Sequence, residues 1–155
     1  MSINLKEIDP NTKQSIKHEI MDLDSDSKFV APNWWSIDEY EYKMDQSRSF
    51  MVGIYLDDKL IGFSMVSHEE NILCLKRLMI DKNYQKKGYG TKALSLVIDK
   101  SFDKYPSYKE MFISTSNPHA LRMYQKFGFE LTNRKLKFDT PYGLIVESEL
   151  LYTKP

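Results

Sequence analysis

The feature that most restricts this chain is a strand, a glycine loop and a helix in direct succession. The run ILCLKRLMI, residues 72–80, is apolar almost throughout, as a strand buried inside a sheet is. DKNYQKKGYG follows it, and the pattern then changes period. Tyr89, Ala93, Leu94, Val97 and Ile98 form one helical stripe, with Lys92, Asp99, Lys100 and Asp103 off it. This spacing predicts a helix over 88–103. A buried strand leading straight into an amphipathic helix commits the chain to an α/β fold.

The flanking segments extend that reading. Ile3, Leu5 and Glu7-Ile8 suggest a short opening strand, and residues 11–22 a modest amphipathic helix. Ser36-Ile37-Asp38-Glu39 reads as a capping box, so a second helix is expected over 36–46. FMVGIYL and LIGFSMV flank Asp57-Asp58-Lys59 and predict a β-hairpin. EMFIST, residues 110–115, is a further strand. Asn117-Pro118 opens a helix, with Asn as N-cap and Pro at the first helical position, and Gly128 closes it. FELTNRKLKF and GLIVESELLY close the chain as two strands joined through Asp139-Thr140-Pro141. The order β-α-α-β-β-β-α-β-α-β-β describes one domain, residues 1–155, around a mixed sheet.

Composition excludes several functions. Lys plus Arg is 22 and Asp plus Glu is 22, so the chain has no bulk positive field for nucleic acid. The single cysteine, Cys74, allows no internal disulfide framework and no cysteine-rich metal site. His18, His68 and His119 are far apart and have no metal-ligand spacing, so no metal is expected. No apolar run approaches ~20 residues, and MSINLKEIDP lacks the apolar core of a signal peptide. The expectation is a soluble cytoplasmic protein without a membrane partner.

The glycine loop has a physical reading of its own. A helix N-terminus carries unpaired amides and about half a positive charge. Gly88 and Gly90 let an anion approach the backbone, and Lys86 and Lys87 add charge. The same residues also read as a plain turn with solvated lysines. A Walker loop is excluded, because Gly90 is followed by Thr91-Lys92. A dinucleotide fingerprint fits only loosely: the loop lies past the middle of the chain, and EMFIST ends without a carboxylate.

LKRLMIDKNYQKKGYGTKAL resembles the acetyl-CoA motif of the GNAT superfamily of N-acyltransferases. The pattern Q/R-x-x-G-x-G/A falls on Gln85-Lys86-Lys87-Gly88-Tyr89-Gly90. NPHALRMYQKFGFE matches a second family motif, N-x-x-A-x-x-x-Y-x-x-x-G-F, about thirty residues on. Element order agrees over nearly the whole chain. Within the superfamily the chain looks most like the bacterial spermine/spermidine-acetyltransferase-like group.

The resemblance implies a GNAT-like mixed sheet, splayed between its fourth and fifth strands, with helices on both faces. Acetyl-CoA, the acetyl donor, would lie in that gap. The backbone of Leu78 and Ile80 would pair with the pantetheine arm, while their side chains serve as core. Gln85, Lys86, Lys87, Gly88, Tyr89, Gly90 and Thr91 would hold the pyrophosphate, with Tyr89 also readable as packing. Asn117 would touch the CoA arm or simply cap its helix. Tyr124 would protonate the departing thiolate. Many family members carry a glutamate on the fourth strand as base. Residues 72–80 hold none and have Lys76 and Arg77 at their centre, so no base is assigned. The family also commonly forms homodimers, with nothing in the sequence to place an interface.

For the acceptor, residues 21–45 hold seven acids against two lysines. An acidic mouth attracts cations. Glu39 and Glu41 are candidate amine contacts, and Trp35 and its aromatic neighbours could cover alkyl chains or stack on ammonium groups. The same residues also read as a solvated acidic face with core aromatics. The leading expectation is N-acetyl transfer to a primary amine of a small cationic acceptor such as a polyamine. The alternatives are a protein or peptide N-acetyltransferase and a non-catalytic acyl-CoA-binding module.

Overall fold

The computed structural model describes residues 2–8, 23, 47–141 and 143–155. Within them seven strands form one sheet. They are β1 (Ile3–Glu7), β2 (Ser49–Leu56), β3 (Lys59–Glu69), β4 (Ile72–Ile80), β5 (Glu110–Thr115), β6 (Glu130–Thr140) and β7 (Gly143–Thr153). Their spatial order is β1-β2-β3-β4-β5-β7-β6. All neighbours are antiparallel except β4 and β5. The one parallel pair needs a crossover, and α1 (Tyr89–Lys104) supplies it after a single 3₁₀ turn at Lys82–Tyr84. The second helix, α2 (Pro118–Phe127), links β5 to β6.

Alternation along the strands divides the core between two faces. Val52, Val66, Leu73, Leu75, Met111 and Ile113 pack with Leu94, Val97, Ile98 and Phe102 of α1. Met51, Tyr55, Phe63, Met65 and Met79 form a separate cluster on the other face. These are the residues whose periodicity marked strand or helix in the sequence. Burying them offsets the entropy of ordering the elements.

Two departures from regular pairing shape the centre of the sheet. Met65 pairs with Arg77 but Val66 pairs with Leu75, which leaves Lys76 as an extra residue in β4. This is a β-bulge, and it changes the phase of the strand. Leu73, Leu75 and Leu78 all pack toward α1, while Arg77 and Met79 turn to the opposite face. The Ser64 hydroxyl donates to the Arg77 carbonyl at 2.6 Å and pins the bulge. The second departure is between β4 and β5. Only Leu73 with Met111 and Cys74 with Phe112 pair; beyond them the strands diverge. The splay expected between the fourth and fifth strands is therefore present.

Element boundaries moved slightly. Lys59, expected in the hairpin turn, opens β3, leaving Asp57-Asp58 as the turn with Asp57 at φ 52°. A two-residue hairpin loop requires such left-handed backbone. Asp139 and Thr140, expected in the last turn, extend β6. The helices expected over 11–22 and 36–46 lie outside the described residues. Among the described residues no helix is long and apolar enough to cross a membrane.

Candidate active site

Four elements meet around the β4–β5 gap. The first is the start of α1. Asp81 side-chain oxygen accepts from the Asn83 amide at 2.9 Å and shapes the turn that leaves β4. Gln85 Nε2 donates to the Ile80 carbonyl at 2.8 Å, tying the loop back to the strand end. Lys86 then takes φ 63° and Gly88 φ 84°. Gly88 is the N-cap, and no side chain caps the helix. A Cβ on Gly88 would meet no atom within 4 Å, so the backbone is open on that side. One on Gly90 would come to 3.4 Å of Met123 Sδ, so α1 and α2 approach closely there. Gln85, Lys86, Lys87 and Thr91 are exposed; Tyr89 packs on the cluster of Ile54, Ile61, Ile80 and Ala93. The predicted loop residues are thus contiguous around bare amides, an arrangement that fits a phosphate-bearing ligand. The side chain of Gln85 is committed to Ile80, and that of Tyr89 to packing.

The second element is α2. Asn117 Oδ1 accepts from the His119 amide at 2.9 Å, so Asn117 caps its helix. At the other end the Gly128 and Phe129 amides donate to the Tyr124 carbonyl at 3.2 and 3.0 Å. Between these caps Tyr124 points into the core, 3% exposed, with its ring 5.5 Å from that of Phe129. Among the described residues its hydroxyl has no hydrogen-bond partner. Burial pushes its ionisation well above the ordinary tyrosine range, and the charge of Glu147 adds to this. At neutral pH Tyr124 is therefore a proton donor with an unused O–H. The Ser116 hydroxyl, just past the end of β5, is likewise buried without a partner among the described residues.

The third and fourth elements are β4, one lip of the gap, and β7, which lies behind the other lip, β5; both present polar side chains on the face away from α1. Arg77 stands on β4, turned there by the bulge. Glu147 stands on β7, half-buried, and accepts from the Ser114 hydroxyl at 2.7 Å. Burial raises the Glu147 carboxyl above the usual carboxylate range; the Ser114 bond and the Arg77 charge pull it partly back. Glu149, two residues on and on the same face, is held by Arg134 at 3.7 Å and by Thr132 at 3.0 Å. The sequence reading looked for a basic carboxylate on β4 and at Glu39 and Glu41, assigned none, and did not consider Glu147. The signal was present in GLIVESELLY: acids at alternate positions inside an apolar strand.

Leu78 and Ile80 lie on the unpaired stretch of β4, on the side of α1. Glu39, Glu41 and Trp35 lie outside the described residues. Among the described residues no three His, Cys, Asp or Glu side chains cluster as a metal site.

A sheet opened between two parallel strands, with bare helix amides at one end and a buried tyrosine alongside, has room for an extended, phosphate-bearing ligand, the arrangement expected from the acyltransferase resemblance. Residues 17–129 match the model of the acetyltransferase (GNAT) family. The chain belongs to this family and is an N-acetyltransferase with acetyl-CoA as its donor. Spermine/spermidine N(1)-acetyltransferase of Bacillus subtilis (strain 168) is 35% identical over 106 residues, which covers 62% of this chain and 68% of that one. Two solved structures share the fold. A GNAT family acetyltransferase from Elizabethkingia anophelis, with acetyl-CoA bound, has a TM-score of 0.68 at 20% identity and 97% coverage of both chains. The ribosomal-protein-S18-alanine N-acetyltransferase from Escherichia coli has a TM-score of 0.73 at 15% identity, covering 98% of this chain and 94% of that one.

Proposed function

We propose that this chain acetylates a primary amine of a small polycationic acceptor of the polyamine class. The observation that carries the reading is the buried Tyr124 side chain, whose hydroxyl makes no hydrogen bond among the described residues. It supplies the proton that a departing thiolate needs, which a passive acyl-CoA carrier would not require. The loop from Gln85 to Thr91 would bind the pyrophosphate through backbone amides, and Lys86 and Lys87 would add charge. The backbone of Leu78 and Ile80 on the side of β4 that faces the gap would bind the pantetheine arm, and Asn117 would touch that arm through its side-chain Nδ2. Two features support a cationic acceptor. Glu147 and Glu149 present carboxylates on the face opposite α1 and α2, and the Bacillus subtilis relative at 35% identity is a spermine/spermidine acetyltransferase. Glu39, Glu41 and Trp35 would extend that anionic, aromatic surface.

The test is thiol release from acetyl-CoA with spermidine, spermine, a monoamine of similar length and a peptide with a free N-terminus, the products identified by mass. Cys74 does not interfere, since burial holds its thiol up at about 11. The expected order is polyamine first, monoamine far behind. Preferential acetylation of the peptide would overturn the acceptor assignment.

A further inference from the structure

The amine enters as an ammonium, because a free alkylamine has a pKa of about 10.4. It cannot attack until a proton is removed. β4 holds no carboxylate for this, its centre being Lys76 and Arg77. The register of the neighbouring strands places another carboxylate at the same level. β5 and β7 run antiparallel, with Thr115 opposite Ser148 and Ser114 opposite Glu149. Glu147 therefore lies level with the C-terminal end of β5, where the gap is open. It shares a face with Glu149 and Ser114, and Arg77 is turned to that same face on the opposite lip. Tyr124 reaches the gap from the helix side and still feels the Glu147 charge. Acid and base thus stand on opposite faces of the sheet, so the amine can be deprotonated from one side of the gap while the sulfur is protonated from the other.

We propose that Glu147 is the general base of the transfer, with Ser114 as its positioning residue. The Glu147 carboxylate takes one proton from the ammonium. The freed lone pair forms the C–N bond at the thioester carbonyl, the C–S bond breaks with its electron pair going to sulfur, and the Tyr124 hydroxyl gives that sulfur its proton. The second proton lost by the nitrogen restores Tyr124, directly or through water. The proton on Glu147 leaves to solvent, so one amide, one free thiol and one proton result. A carboxyl raised by burial suits the task, since a base nearer the working pH is a better proton acceptor. The charged groups set against it are Arg77 on β4, Glu149 on β7 with its partner Arg134 on β6, and Tyr124 on α2.

The assignment rests on acetyl transfer to an amine and not on which amine is used. It is tested by the pH profile of kcat/KM for Glu147→Gln and Ser114→Ala, on whichever panel amine the wild type acetylates fastest. Glutamine keeps the acceptor for Ser114 and should leave CoA affinity unchanged. At pH 7 it should lower kcat/KM by ~10² to 10⁴, the range for one positioned acid or base. Its residual rate should climb with the free-amine fraction, so that it closes on the wild type at high pH. Ser114→Ala should keep most activity but move the acidic limb upward, because the lost bond favoured the ionised form. A Glu147→Gln enzyme with the wild-type rate and limb would overturn the assignment. So would a Ser114→Ala limb that stays in place, which also decides the matter if the glutamine variant does not fold. A wild type inert toward every amine would overturn both this role and the function above.

Folding gives an independent check. Because the folded carboxyl sits above its unfolded value, its contribution to stability is greatest below the unfolded pKa and is lost as pH rises through the folded one. Glu147→Gln should therefore melt at or above the wild-type temperature at neutral pH.

Discussion

The two described helices begin differently. α2 is closed at its start by its own sequence: Asn117 Oδ1 takes the His119 amide, and Pro118 removes one donor altogether. α1 starts on a left-handed glycine with no side-chain cap. Glycine is a tolerated N-cap, so leaving those amides without a side-chain acceptor costs roughly a few tenths of a kcal/mol relative to Asn or Ser. The start of α1, beside two lysines and next to a gap in the sheet, leaves its amides without a side-chain acceptor, as the proposed pyrophosphate site requires. The contrast goes further. On the proposed function α1 would work from its end, as a binding site, and α2 from its side, where Tyr124 is buried at mid-helix. α2, the helix to which the proposal assigns the proton donor, is closed at both ends, which holds Tyr124 in place.

The largest effect should come from the side of α2. Tyr124→Phe removes one hydroxyl and almost no volume, so folding and CoA affinity should hold. The chemical step should slow by ~10² to 10⁴, seen in kcat and in single-turnover rates. An unchanged single-turnover rate would reduce Tyr124 to packing and leave α2 without a role in the reaction. Next comes the end of α1. Gly88→Val sets a β-branched residue at φ 84°, which adds strain of ~1 to 2 kcal/mol, and its branches stand over the bare amides. Gly88→Asn is the cleaner variant, since Asn tolerates this backbone. Both should weaken CoA binding in calorimetry by at least ~10-fold, about 1.4 kcal/mol. Wild-type affinity in Gly88→Asn would mean that the open start of α1 binds nothing.

Asn117→Ala sharpens the comparison from the other side. It should cost ~1 kcal/mol of stability in denaturant melts and leave the CoA Kd within a factor of a few. A Kd that moves as far as the stability does would make Asn117 a ligand contact as well as a cap. The smallest effect belongs to the lysines. Lys86→Gly suits the backbone at φ 63° and removes one solvated charge. It should weaken CoA binding only a few-fold at low salt, and the loss should fade toward 1 M salt. A salt-independent loss would mean that the Lys86 side chain contributes more than its field.

These differences were unequally legible in the sequence. Both helix starts were, because caps are local: Asn117-Pro118 and the glycines act within a turn of themselves. The strand ILCLKRLMI was legible as apolar and central. The bulge inside it was not, since a continuous apolar run has no alternation whose phase could be seen to slip. Glu147 stayed hidden for a related reason. Its strand was recognised, but its place beside the gap depends on the β5–β7 register, set by residues more than thirty positions apart. Local rules identify elements; the meeting of Arg77, Ser114, Glu147 and Tyr124 is a product of pairing across the sheet. The splay itself was carried by the family resemblance, because nothing in EMFIST announces that only two of its residues will pair with β4.

That two-residue pairing also bears on how the protein behaves before it meets acetyl-CoA. From Leu75 to Ile80, β4 is an edge strand in the interior of a sheet. Among the described residues neither this stretch nor residues 113–115 of β5 have a strand neighbour across the gap. Amide hydrogens there should exchange with solvent faster than those of β3, then slow sharply when acetyl-CoA is added. An exposed edge is also where stray chains pair. Saturating coenzyme should therefore protect this protein from self-association in a heated or crowded solution, acting as the strand that the fold leaves out.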